Sequence, residues 1–123
     1  MGANETGLHG EVLAAEFLTR RGYRVIDRNY HSRYGEVDII AADDYYILFV
    51  EVKTRAERHL VSPLEAVTVK KQRRLIQTAR LYLQANPVLL QPRFDVAAVI
   101  TAGNPPYIKS IDYLENAFGE RGF

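Results

Sequence analysis

Asp38, Glu51 and Lys53 are an acid, a second acid and an amine that one β-hairpin can bring to a single face. A turn centred on Asp43-Asp44 pairs Ala42 with Tyr45, Ile40 with Ile47, and Asp38 with Phe49. Side chains alternate along a strand, so Asp38, Phe49, Glu51 and Lys53 share one side, while Leu48, Val50 and Val52 point into a core. Glu51 is then a diagonal neighbour of Asp38, with backbone positions about 7–8 Å apart. A pairing shifted by two residues would set the two acids directly opposite. Two carboxylates so placed repel unless one takes up a proton or a cation lies between them. Oxygen-only ligands favour Mg²⁺ or Mn²⁺ over zinc. The Val52 carbonyl, between Glu51 and Lys53 in the chain, is a candidate third ligand, and Lys53 is placed to hold a water or a phosphate oxygen.

The same residues also fit a solvent-side Glu51–Lys53 pair with Asp38 as a charge near a turn, because the pattern is short and its residue types are common. Two further residues bear on that choice. Glu11 shares the helical phase of Ala15 and Leu18 on a first helix, where a charge close to an apolar stripe needs a partner or a ligand. Lys71, with Gln72 beside it, occupies the corresponding stripe of a later helix. Each also fits an edge position whose stem packs while its head reaches water.

The elements that must position these groups follow from periodicity and punctuation. Residues 8–21 read as a helix, with Leu8, Val12, Ala15, Leu18 and Thr19 at helical spacing and Gly22 as its stop. Residues 23–29 are extended, 31–35 a turn, 36–42 a strand and 45–54 a strongly β-prone run. After a loop over 56–62, Pro63 fits the first turn of a long helix with Ser62 as N-cap and Asn86-Pro87 as its end. Its stripe is Leu64, Val67, Lys71, Leu75, Thr78, Ala79 and Tyr82. Residues 94–101 have the near-continuous apolar character of a strand covered on both faces. Residues 107–111 form an edge strand, and Asp112 is placed to cap a short terminal helix ending near Gly119. This order predicts a single α/β domain over residues 1–123, a mixed sheet of about five strands flanked by helices.

Composition bounds the function. The 123 residues are 47% hydrophobic and 25% charged, and none is cysteine, which excludes disulfides, thiolate metal sites and cysteine nucleophiles. The longest apolar run, residues 45–50, is far too short to span a bilayer, and no signal peptide opens the chain, so a cytoplasmic protein without membrane contact is expected. Met1-Gly2-Ala3-Asn4-Glu5-Thr6 matches an acylation pattern too loose to carry weight; a frayed N-terminus over residues 1–6 is the expectation. Net charge is only +1, yet the stretch from Lys53 to Arg80 holds eight basic residues against two acidic ones. That stripe fits either a phosphate-facing surface or a solvated helix face.

Gly7-Leu8-His9-Gly10-Glu11, Arg28-Asn29-Tyr30, Gly35-Glu36-Val37-Asp38, Phe49-Val50-Glu51-Val52-Lys53-Thr54-Arg55, Lys71-Gln72-Arg73-Arg74-Leu75 and Arg93-Phe94-Asp95-Val96 together resemble the YraN-like family of small bacterial proteins. Those are predicted endonucleases, similar to archaeal Holliday junction resolvases and to the wider PD-(D/E)xK superfamily of restriction-endonuclease-like folds. The resemblance runs from about Gly7 to Val99. It implies that Asp38 takes the superfamily's aspartate position, Glu51 and Lys53 its Glu-x-Lys position, Glu11 the first-helix glutamate, and Lys71 or Gln72 the polar contribution of the long helix.

The expected function is a metal-dependent DNA endonuclease. Asp38, Glu51, Glu11 and the Val52 carbonyl would hold Mg²⁺ or Mn²⁺, with Lys53 completing the catalytic set. Arg55, Lys70, Lys71, Gln72, Arg73 and Arg74 would meet the nucleic acid, mainly at backbone phosphates. No base-reading module is visible, so structure-selective cleavage is expected over sequence-specific cleavage, and branched DNA would favour a homodimer. The alternative is a catalytically silent nucleic-acid-binding protein of the same fold.

Overall fold

The structure is a computed structural model that describes residues 3–59 and 62–119. Helix α1 (Ala3–Arg20) is followed by β1 (Arg24–Ser32), β2 (Gly35–Ala42) and β3 (Tyr46–Ala56), a single 3-10 turn (Glu57–His59), α2 (Val69–Ala85), β4 (Gln91–Ala102) and β5 (Tyr107–Phe118). The strands form one sheet in the order β1-β2-β3-β4-β5. Only β3 and β4 run parallel; the other neighbours are antiparallel. A parallel pair needs a crossover connection, and α2 supplies it. The result is the mixed five-stranded sheet flanked by helices that the sequence predicts, consistent with a restriction-endonuclease-like fold. Among the described residues no helix is long and apolar enough to cross a membrane.

Alternation along the strands builds two cores. Ile40, Ile47, Phe49, Phe94 and Val96 pack with Leu75, Ile76, Ala79 and Tyr82 of α2 on one face. Ile39, Ala41, Leu48, Val50 and Ala97 pack with Ala14 and Leu18 of α1 on the other. Each fully buried Leu, Ile, Val or Phe contributes about 1.5–3 kcal/mol relative to exposure. Val12, expected in the stripe of α1, is instead exposed, while Ala14 is fully buried. Apolar residues surround much of that helix, at Leu13, Ala14, Ala15, Phe17 and Leu18, so periodicity alone does not select one stripe.

The β2–β3 hairpin differs from expectation by two residues. Ile40 pairs with Phe49 and Ala42 with Ile47. Asp43 causes the shift. Its Oδ1 accepts from the N–H groups of Tyr45 and Tyr46 at 2.8 and 2.7 Å, and its own N–H donates to the Tyr46 carbonyl at 3.0 Å. The loop is therefore Asp44-Tyr45. A two-residue shift preserves parity, so Ile40, Ile47 and Phe49 keep one face and Ile39, Leu48 and Val50 the other, while Val37 departs from the alternation and joins the α2 core.

Two helix boundaries are corrected. The long helix does not begin at Pro63; Thr68 is its N-cap, accepting from Lys71 N–H at 3.1 Å. Ser62 instead serves a separate turn, where its hydroxyl accepts from Glu65 N–H at 3.3 Å. The break before Val69 lets Val67 bury itself in the α2 core, while Leu64 stays on the surface. The expected terminal helix after Asp112 is strand β5. There Asp95 of β4, fully buried, accepts from Tyr113 Oη at 2.6 Å and from Asn116 N–H at 2.9 Å, and Phe118 stacks on Phe94. The Arg93 guanidinium completes the Asp95 set from Nε at 3.0 Å and Nη2 at 2.9 Å, and Nη2 also donates to Tyr23 Oη. These tertiary partners outweigh the local capping signal.

Candidate metal and phosphate site

The β2–β3 ladder runs down to Ile39 opposite Val50 and then opens. At the opening the Asp38 side chain takes over from the backbone: Oδ2 accepts the Val52 N–H at 2.7 Å. A strand residue's N–H and C=O point to the same edge, so the Val52 carbonyl also faces this fork. β3 continues beside β4 as far as Ala56 opposite Thr101, which keeps Glu51 and Lys53 on a rigid central strand. Asp38 and Glu51 therefore flank the fork across facing strands, in the directly opposed register.

Glu51 is 3% exposed. Its Oε1 lies 3.5 Å from Lys53 Nζ and 3.7 Å from Lys71 Nζ, the latter reaching down from the first turn of α2. Its Oε2 is buried and has no hydrogen-bond partner among the described residues. Burial, reinforced by the charge of Asp38 and opposed by both lysines, pushes the Glu51 carboxyl up to about 7. Burial likewise raises Asp38, against the Val52 N–H, and Glu36 adds to the rise. Burial and the mutual repulsion of the acids thus outweigh the two lysines at the fork.

Glu11 reaches the same region from α1. Gly10 makes this approach possible: a Cβ there would lie 3.2 Å from Thr54 Oγ1 and 3.3 Å from Val99 Cγ2. Without one, α1 rests against β3 and β4 and directs Glu11 toward β2. Carboxylate oxygens of Glu11, Glu36 and Asp38 all lie within 4.8 Å of one another. Burial and the neighbouring Asp38 raise the Glu11 carboxyl, and Arg28 offsets part of this. One terminal atom of the Asn29 amide lies 3.0 Å from Glu11 Oε1 and 2.7 Å from Glu36 Oε1, and with nitrogen in that place it donates to both.

The structure thus gathers Asp38, Glu51, Lys53, Lys71 and Glu11 around one fork, with the Val52 backbone on its rim. Gln72 turns away, donating to the Val67 carbonyl at 3.1 Å and bracing the start of α2. Arg55 donates to the Thr54 carbonyl at 3.0 Å and is half-buried. Lys70, Arg73 and Arg74 are exposed on α2, and Arg74 lies against Gly35 at the β1–β2 turn. Sequence reasoning assigned no role to Glu36 or Asn29. Glu36 carries a readable signal, since it precedes Asp38 by two residues on one strand and so shares its face. Asn29 carries less, because only Glu36 lies close by, across the β1–β2 turn, while Glu11 comes from α1.

Residues 10–99, which include every group around the fork, match the model of the uncharacterised protein family UPF0102. A UPF0102 protein of Syntrophomonas wolfei is 42% identical over 115 residues, spanning 93% of this chain and 97% of that protein. One from Rhodococcus opacus is 45% identical over 113 residues, spanning 91% and 94%. One from Prosthecochloris aestuarii is 48% identical over 101 residues, spanning 81% and 80%. None of these names states an activity.

Proposed function

This chain belongs to the uncharacterised protein family UPF0102, and we propose that it is a divalent-metal-dependent nuclease that hydrolyses phosphodiester bonds, with DNA as its substrate. The observation that carries the reading is the orphaned Glu51 Oε2, buried beside Asp38 at the mouth of a strand fork. A buried carboxylate oxygen without a donor costs about 1–3 kcal/mol or more. A hard cation removes that cost, and the donors here are all oxygens, the set that suits Mg²⁺ or Mn²⁺.

Asp38, Glu51, Glu11 and the Val52 carbonyl are the groups that would hold the ion, and Glu36 adds a further oxygen to the cluster. When bound, such an ion offsets the phosphate's charge and acidifies water beside it. The chain's own groups do the rest. Lys53 and Lys71 converge on one carboxylate oxygen and project into the fork, where each can hold a non-bridging phosphate oxygen as negative charge grows on it. Lys70, Arg73 and Arg74 extend the positive surface along α2 and would meet flanking phosphates without reading bases. That supports structure-selective cutting, and paired cuts in a branched duplex would call for a two-fold dimer.

One observation favours a second reading. The two lysines beside Glu51 Oε1 neutralise part of the site without any metal. The protein would then bind nucleic acid without cutting it. Cleavage assays on branched and linear DNA with Mg²⁺ or Mn²⁺ separate the two. We expect cutting that Lys53→Ala lowers at least about 100-fold while DNA binding persists. Binding without cutting under both metals would leave only the silent module.

A further inference from the structure

Asn29 adopts a backbone φ of 55° within β1. This left-handed conformation is uncommon outside glycine, and asparagine is one of the few side chains that tolerate it. Asn29 is exposed, so packing does not explain its presence. Glycine would adopt the same backbone more easily. The amide itself is therefore the feature to explain: one of its two terminal atoms lies 3.0 Å from Glu11 Oε1 and 2.7 Å from Glu36 Oε1, and two carboxylate acceptors call for nitrogen there.

Those two glutamates arrive from different elements and crowd Asp38. Three carboxylates this close repel each other, and a donor between Glu11 and Glu36 relieves that repulsion where Arg28 offsets only part of it. A primary amide carries two N–H donors on one atom and an acceptor beside it, and a half-turn of χ2 exchanges the two. One uncharged residue can thus serve the carboxylates both without a cation and with one.

We propose that Asn29 is a positioning residue of the metal site: its two N–H groups clamp Glu11 to Glu36 in the metal-free protein, and the amide turns over when a divalent cation enters, presenting Oδ1 beside the carboxylate oxygens. The second half rests on the metal reading above; the clamp does not.

Two substitutions and one spectroscopic signal test it on the full chain. Asn29→Gly keeps the positive φ and deletes the amide. It should fold normally by circular dichroism yet bind Mn²⁺ about tenfold more weakly in calorimetric titration, the scale expected for loss of a group that orients ligands. Asn29→Asp replaces the donors with charge, so it should bind Mn²⁺ at least as tightly as the parent while melting lower than Asn29→Gly in its absence. Unchanged Mn²⁺ affinity in Asn29→Gly would overturn the turning amide. The Asn29 side-chain NH₂ resonances of the metal-free protein should move in both Glu11→Ala and Glu36→Ala, and signals indifferent to either change would overturn the clamp. A parent protein that binds no Mn²⁺ would defeat the metal reading and the turning amide with it, and those resonances would still decide the clamp.

Discussion

The Asp38 carboxylate ends the β2–β3 ladder by accepting the Val52 N–H at 2.7 Å, so one side chain both separates the two strands and faces the gap it makes. The fork and the acid within it have a common origin. The remaining site groups converge on that gap from α1, β3 and α2, and each convergence can be broken singly.

Glu51 links the site to stability. Its carboxyl is pushed up to about 7 in the fold, from an ordinary value of 4.5 in the unfolded chain. Between those values the folded state binds more protons, so metal-free stability falls as pH rises from about 4.5 to 7 and levels off above. The loss is about 3 kcal/mol at most. Urea titrations in chelator at pH 4.5, 6 and 8 should show this decline in the parent and a flatter profile in Glu51→Gln. Added Mg²⁺ should restore the parent at pH 8 and leave the variant unchanged.

Gly10→Ala should displace α1. The new methyl meets the side-chain atoms Thr54 Oγ1 and Val99 Cγ2 at 3.2 and 3.3 Å, on the central strands β3 and β4. Overpacking costs about 1–3 kcal/mol, partly offset by the better helix propensity of alanine. We expect a net loss near 1 kcal/mol in chemical denaturation, with weaker Mn²⁺ binding as Glu11 withdraws. A variant as stable as the parent with full Mn²⁺ affinity would contradict this account of α1.

Asp95→Ala should damage the fold far more than the site chemistry. It leaves the buried Arg93 guanidinium without its bidentate partner and frees Tyr113 and the Asn116 N–H. Breaking such a pair costs about 3–5 kcal/mol. The melting temperature should fall sharply, with the loss the same in chelator and in Mg²⁺ because no Asp95 contact belongs to the fork.

Replacing Lys70, Arg73 and Arg74 together by alanine should weaken DNA binding without altering the fold, since all three are exposed. If each meets a phosphate, the slope of log affinity against log salt should fall by about 3. Fluorescence anisotropy with a labelled duplex across a salt series measures it, and an unchanged slope would move the nucleic-acid path away from α2.

What the sequence made legible was parity and order. Glu51 and Lys53 share a face, and Phe49 and Leu48 enter opposite cores, even though the hairpin register moved by two, because alternation tolerates an even shift. The starts of α2 and β5 were not legible. Thr68 prevails over Ser62 because Val67 needs the core, and β5 extends past Asp112 because Asp95 and Phe94 reward pairing there. Both outcomes depend on partners distant in the chain, which local propensity does not register. Asn29 is an intermediate case, with Glu36 across the adjoining turn and Glu11 remote in α1.

The parallel pairing of β3 with β4 has a consequence for the protein while it is being made. Every acid and lysine of the fork, from Glu11 to Lys71, is synthesised before Gln91. Until β4 leaves the ribosome, the strand bearing Glu51 and Lys53 has an open flank along Tyr46–Ala56. A nascent chain therefore carries every group of the fork before it can hold them in place.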